Sequence, residues 1–331
     1  MNTLTQFKKS QGMSLVELMV SMAIGLILIG GTASVYLASK RSYVEVERMS
    51  RVTQNSRFAL QLLSEAVQHA GFVGEIPMGS IELDPNLNAV NSDCSDLAAA
   101  YDIDNYLLAT ESSGAGAAFG CINDALPNTS VLLVKNVRPM RLIDSDDNGT
   151  IDSPEGLNAT TTYVVSNNIR GILFDGADAA PTVTEGGDVP DGSAWEYQAQ
   201  IYYIRDTAAG PQLSRRVLAW SGGSMSWITE DLILGVENMS FSFGLDTNAD
   251  GDIDTYKPVA AMVPIDWNNV YAIECDVLVR SETTDPQYTD TKTYNLSGIA
   301  AIGPLNDNFH RMVMQNTVSL RNPYFVIRGN L

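Results

Sequence analysis

Three hydropathy patterns follow one another along the chain. Residues 18–39 carry no charged side chain. At about 1.5 Å of rise per helical residue, that stretch reaches roughly 33 Å, enough to cross the hydrocarbon core of a bilayer. From about residue 43 to 70 the pattern changes. Val52, Ala59, Leu62, Leu63, Ala66 and Ala70 recur at three- and four-residue spacing, while Arg48, Arg51, Arg57 and Glu65 fall largely off that stripe. This spacing predicts an amphipathic helix. Gly71, Gly74 and Pro77 supply its stop signals, and His69 falls in its last turn, where it complements the helix dipole. From Ile76 onward, short apolar segments alternate with Gly, Asn, Asp and Pro. Strands are predicted at 130–137, 161–165, 196–205, 212–220, 238–245, 270–280 and 317–320, with a hairpin around 206–211. The fold class is therefore α+β: one long N-terminal helix, half membrane-spanning and half amphipathic, packed on an antiparallel β-sheet head with loop insertions.

Composition narrows the function. The 331 residues include 39 Asp and Glu against 20 Lys and Arg, a formal net charge of −19. No basic patch is available to neutralise phosphates, so nucleic acid is not a predicted partner. Apolar residues at 45% exclude general disorder. Only two histidines, His69 and His310, are present. That rules out a multi-histidine metal centre and leaves little for a nucleophile–His–acid triad. There is no P-loop or dinucleotide fingerprint either. The chain does not read as an enzyme. Of the three cysteines, Cys94 and Cys121 lie in loop-like sequence and can pair in an oxidising compartment, where the closed loop contributes about 3–4 kcal/mol. Cys275 sits on the apolar side of an alternating strand and reads as a buried thiol.

The start of the chain decides its class. Lys8 and Lys9 precede Gly12, and lysines on this side favour keeping the leader in the cytoplasm while the remainder of the chain is exported. A cleaved secretory signal fits poorly, because the apolar run is too long and no small-x-small site comes after it. Glu17 stands at the edge of that run, a costly place for a carboxylate without a partner or a route to the interface. Gly12-Met13-Ser14-Leu15-Val16-Glu17 resembles the prepilin motif of type IV pilins and type II secretion pseudopilins, with Met13 in place of the more usual Phe. The resemblance implies cleavage after Gly12 by a prepilin peptidase, methylation of the new N-terminus at Met13, and pairing of Glu17 with the N-terminal amine of an adjacent subunit. It also implies four segments: a cleaved leader (1–12), a transmembrane and assembly half-helix (13–39), an amphipathic half-helix (40–71) and an extracytoplasmic β-rich head (72–331).

Several head segments are similar to PilW-type minor pilins. They are the hairpin around Tyr202 and Tyr203, Leu234-Gly235-Val236-Glu237, Phe243-Gly244-Leu245-Asp246 with the acidic loop after it, Trp267 and the strand at 270–280, Phe309-His310-Arg311, and Thr317-Val318-Ser319-Leu320-Arg321-Asn322. Residues 76–130 and 140–195 are less recognisable and read as lineage-specific insertions. The resemblance implies a minor pilin at or near the tip of a type IV pilus, supporting initiation of assembly and so adhesion and twitching motility. Its partners would be other minor pilins, the major pilin and a large tip adhesin. It would reside in the inner membrane, single-pass with the head in the periplasm, before assembly into an extracellular pilus. Two alternatives stay open: a minor pseudopilin of type II secretion, and a lone membrane-anchored calcium-binding protein.

Two acidic loops suggest Ca²⁺. In the first, Asp144, Asp146, Asn148, the carbonyl of Thr150, Asp152 and Glu155 stand at the ligand positions of a twelve-residue calcium loop, and Gly149 takes its sharp turn. The second offers Asp246, Asn248, Asp250, Asp252 and Asp254, but Lys257 occupies the place of the closing Glu. The bland reading of each is a solvated Asx-Gly turn.

Overall fold

The computed structural model describes residues 12–76 and 78–320. The leader through residue 11 with its two lysines, Pro77, Arg321 and Asn322 lie outside the described residues. A single helix, α1, runs Leu15–Gln68, joining the apolar and amphipathic stretches without a break. The chain divides into two compact units, Met1–Ser50 and Arg51–Leu331, so the division falls inside α1.

In the first unit the apolar side chains of Leu15, Leu26, Ile27 and Ile29 are each exposed. Three of its hydroxyls bond to carbonyls of the same helix. Ser21 donates to the Glu17 carbonyl at 2.7 Å, Thr32 to that of Leu28 at 3.0 Å and Ser34 to that of Gly31 at 2.8 Å. A segment that meets lipid must close its polar groups internally, as these three do.

In the second unit, the last turns of α1 bury Val52, Ser56, Ala59, Leu60, Leu63, Ala66 and Val67 in the same apolar core as the strands. The stripe expected from sequence holds, extended by Ser56, Leu60 and Val67 and with Leu62 only partly buried. Polar contacts fix the helix over the sheet: Asn55 Nδ2 donates to the Leu234 carbonyl at 3.1 Å, and Asn316 Nδ2 to Ser64 Oγ at 2.8 Å. The helix stops at Gln68, so His69 lies just past its end rather than in its last turn, because the backbone there already tightens into turn bonds from Ala70 to Val67 and from Phe72 to His69. Gly71 then takes φ +75°, and a Cβ there would come within 2.8 Å of the Tyr106 ring. Only glycine fits both demands.

The strands are β1 Ile81–Leu83, β2 Leu107–Glu111, β3 Ser130–Leu142, β4 Thr162–Ser166, β5 Gly171–Asp175, β6 Ser193–Thr207, β7 Gly210–Ser221, β8 Ser224–Leu234, β9 Val236–Leu245, β10 Thr255–Pro258, β11 Val270–Arg280 and β12 Arg311–Ser319. They form two sheets. The larger has the order β1-β5-β4-β6-β3-β2, with β7 beside β6 and β8 beside β7; the smaller is β10-β9-β11-β12. All pairings are antiparallel except β1 with β5. The hairpin of β6 and β7 closes at Thr207 and Gly210, as expected.

Two buried cations organise the head. The Lys135 side chain on β3 is wholly buried, and its ammonium donates to the carbonyls of Leu97 (3.3 Å), Ala99 (2.7 Å) and Asp102 (2.5 Å). Burial pushes this lysine down to about 8, against the opposing negative charge of Asp102 and Asp93. It ties down the irregular segment that also carries the Cys94–Cys121 disulfide. Cys275 is the buried free thiol expected.

The second is Arg311, at the start of β12 and 1% exposed. It makes paired contacts with Glu237 (Nε–Oε2 2.5 Å, Nη2–Oε1 3.0 Å) and with Asp307 (both 2.6 Å), and Nη1 reaches Asp290 at 2.8 Å. Tyr294 also donates to Asp290, at 2.9 Å. Burial raises the Asp290 carboxyl, but the bonds from Arg311 and Tyr294 outweigh it and hold it below the usual range; the bonds from Arg311 do the same for Asp307. Carboxyls depressed on folding stabilise the fold above the unfolded value of about 3.9 and lose that contribution as pH falls through their folded values. Melting of the purified protein should therefore drop steeply below about pH 4. Arg311→Met should cost about 3–5 kcal/mol at neutral pH by stranding buried carboxylates, and should flatten the acid limb between pH 5 and 3. An unchanged acid limb in the variant would mean that other carboxylates set it.

Candidate functional site

The residues expected to direct processing and assembly meet at the start of α1. Ser14 precedes the first helical residue and Glu17 is the third inside it. The Glu17 N–H donates to Ser14 Oγ at 3.2 Å, and the Ser14 N–H donates to Glu17 Oε2 at 3.3 Å. This reciprocal pair is a capping box: two backbone donors at the helix terminus are satisfied by the two side chains. The carboxylate also sits at the positive end of the helix dipole. Sequence reasoning singled out Glu17 as a charge in want of a partner and missed that Ser14, three residues earlier, supplies one. The Ser-x-x-Glu spacing was the available signal. Gly12 and Met13 are exposed just before the helix.

The two acidic loops share one geometry. In the first, Asp144 accepts the N–H groups of Asp146 (3.3 Å), Asn148 (3.2 Å) and Gly149 (2.5 Å). In the second, Asp246 accepts those of Asn248 (3.3 Å), Ala249 (2.7 Å) and Gly251 (2.8 Å). The ninth residue of each closes on the second: Asp152 accepts from the Ser145 N–H and hydroxyl, and Asp254 from those of Thr247. Positive φ recurs at the fourth and sixth positions, at Asp147 and Gly149 in one loop and at Ala249 and Gly251 in the other. Asn148 and Asn248 cap the next turn, through Thr150 N–H and Asp250 N–H, and Asp250 accepts from Asp252.

These bonds act on the carboxyls themselves. Partial desolvation raises Asp144, but the three backbone donors together hold it below its usual range, and the Thr247 hydroxyl and N–H lower Asp254. The closing groups lie elsewhere. Glu155 is exposed and adds its negative charge to the larger effect of burial in raising Glu196, and Lys257 grips both oxygens of Asp266 at 2.9 Å. Among the described residues, no group of three or more His, Cys, Asp or Glu side chains converges as a metal-binding set.

The Ser14–Glu17 box yields a local prediction. In a peptide spanning residues 13–40 in detergent micelles, Ser14→Ala should weaken the helix start by about 1 kcal/mol. Glu17→Gln, which can still accept the Ser14 N–H, should leave helicity by circular dichroism nearly unchanged. A loss in Glu17→Gln as large as that in Ser14→Ala would show that the charge of Glu17 contributes as much to the helix start as the cap.

Comparison with known families finds two matches. Residues 7–33 match the prokaryotic N-terminal methylation motif, and residues 201–322 match type IV pilus-assembly protein W, known as PilW. No curated protein and no solved structure matches the chain. The PilW match begins within β6 and includes β7 to β12, the Arg311 cluster and the second acidic loop. Glu237 and Arg311, from two of the segments read as PilW-like, are in direct contact. The methylation motif and the apolar helix fit a membrane-anchored subunit that assembles into a pilus. Together the two matches support a type IV minor pilin of the PilW type.

Proposed function

We propose that this minor pilin enters the filament at or near its tip, where it supports initiation of pilus assembly with other minor pilins and the major pilin, and so adhesion and twitching motility. The observation that carries this reading is the uncovered apolar surface of α1 beneath a capped Glu17, joined to a head far larger than the helix needs for cover. A bulky head crowds a repeating lattice, so a terminal position costs least. Glu17 would accept the N-terminal amine of a neighbouring subunit after a prepilin peptidase cuts behind Gly12. The head would face the periplasm before assembly and the exterior afterwards, presenting a surface to a large adhesin. The chain acts as a structural subunit and not as an enzyme.

Three measurements test this. Mass spectrometry should find N-methyl-Met13 as the mature terminus. The protein should be scarce in sheared filaments relative to the major pilin, and equal abundance would defeat the tip position. Deletion should abolish piliation and twitching. Loss of protein secretion with intact pili would instead favour the minor pseudopilin of a type II secretion system, and a retained leader would favour a lone membrane anchor.

Calcium is a second proposal, supported by the shared geometry of the two acidic loops. Asp144, Asp146, Asn148, the Thr150 carbonyl and Asp152 would supply oxygens in the first, and Asp246, Asn248, Asp250, Asp252 and Asp254 in the second. Glu155 would have to swing away from Glu196 to complete the first shell. Ca²⁺ at about a hundred times its dissociation constant should add about 2.7 kcal/mol to stability. Asp144→Ala and Asp246→Ala together should abolish the rise in melting temperature. No rise in the parent protein would leave both loops as acidic turns.

A further inference from the structure

The smaller sheet has a polar row on one face. By register, Asp276 on β11 lies between Ser240 on β9 and Gln315 on β12, and Asn238 stands two residues along β9 from Ser240, on the same face. Segment 294–302 covers this face, with Leu296 and Tyr294 packed on Leu278. Ser297 is the point of contact. Its N–H donates to Asp276 Oδ2, its carbonyl accepts from Ser240 Oγ at 3.0 Å, and its hydroxyl accepts from Gln315 Nε2 at 3.2 Å.

The row is left with an excess of acceptors. Asp276 is 2% exposed, yet its Oδ1 has no hydrogen-bond partner. Asn238 Oδ1, diagonal to it on the same face, is also buried and also without a donor. No Lys, Arg or His among the described residues pairs with Asp276, and Glu274, two residues away on the same strand face, adds further negative charge. A buried carboxylate without a countercharge is expensive, and a second orphaned oxygen on the same sheet face adds to the deficit.

We infer that an alkali cation, Na⁺ or K⁺, occupies this position, held by Asp276 Oδ1, Asn238 Oδ1 and the lone pairs of Ser240 Oγ. The ligands are all hard oxygens, which excludes thiophilic metals. The single buried carboxylate matches a single positive charge, which sets this site apart from the multi-carboxylate acidic loops. Bound there, the ion joins β9 to β11 under the Ser297 cover and locks segment 294–302 onto the sheet. The inference is independent of the assembly role and of calcium at the loops.

The test is thermal unfolding of the full chain in detergent, in NaCl, KCl and choline chloride at equal ionic strength and with chelator present to remove divalent ions. Melting should be higher by at least about 2 °C in NaCl or KCl than in choline chloride. Asp276→Asn should erase that difference, while the Asp144→Ala/Asp246→Ala variant should retain it. Should Asp276→Asn fail to fold, Asn238→Ala takes its place and should reduce the difference by weakening the site. Equal melting of the parent protein in all three salts overturns the inference. So does a cation effect that persists undiminished in the variant of Asp276 or, in its place, of Asn238.

Discussion

The second half of the head depends on how Arg311 is satisfied. A guanidinium that is 1% exposed must recover in hydrogen bonds what it loses in hydration, and three carboxylates from three separate places provide them. Glu237 comes from the start of β9, while Asp290 and Asp307 come from the long connection between β11 and β12. Arg311 itself begins β12, so one side chain fixes where the last strand starts, where β9 starts, and how the connection folds back. Arg280 extends the arrangement: it lies 3.5 Å from Glu237 and stacks over the Phe309 ring at 4.1 Å. With the connection held there, Tyr294, Leu296 and Ser297 are delivered onto the polar face of the smaller sheet. The opposite face, with Phe241, Phe243, Ile273 and Val318, goes into the core shared with α1.

The acidic loops show how a repeated sequence becomes a repeated backbone. In each, an aspartate at the first position collects N–H groups from the residues after it, and the turn can close only if the sixth residue adopts a left-handed conformation, where glycine is found both times. The fourth position is left-handed as well, and there the two loops differ: Asp147 tolerates it through its short polar side chain, whereas Ala249 has no such relief. The backbone donors already satisfy several carboxylate lone pairs, so the turns are self-sufficient. Cation binding at either loop would have to draw on the remaining oxygens, which is a quantitative question about affinity and not about whether the turn forms.

Elements with a strong local pattern were legible in the sequence. The helix was readable from its lack of charge and then its 3.6-residue stripe, and β11 was readable to the residue because Tyr271, Ile273, Cys275, Val277 and Val279 recur at every second position, with Glu274 and Asp276 between them. The hairpin at Thr207 and Gly210 followed from its turn. The strands that escaped notice lack such patterns. β5 is buried along its whole length, so alternation is lost, and β8 carries Thr229 and Glu230 on half-exposed positions and Asp231 on an exposed one. The split into two sheets was invisible for a different reason: it arises from pairings between residues far apart, such as β1 beside β5, which no local window contains. The same holds at Arg311. Its segment and that of Glu237 were each recognisable, but their contact, and the parts of Asp290 and Asp307, belong to tertiary structure alone.

Glu17 would join local structure to the proposed assembly. At the first turn of a helix a carboxylate is stabilised by the dipole and by the capping bond, so the residue that looks anomalous in an apolar run is locally well placed. The capping bond uses Oε2 only. Its other oxygen and its charge are not consumed by the cap, so a neighbour's ammonium could approach without uncapping the helix. A pairing of that kind would add to the local arrangement instead of competing with it. It also explains how one side chain can serve two states: in the membrane the box closes the terminus of a lone helix, and in the proposed filament the same carboxylate would meet a second chain. A glutamine could keep the first role and not the second. Chemistry that a local structural need tolerates would therefore be narrowed to Glu by the proposed intermolecular one.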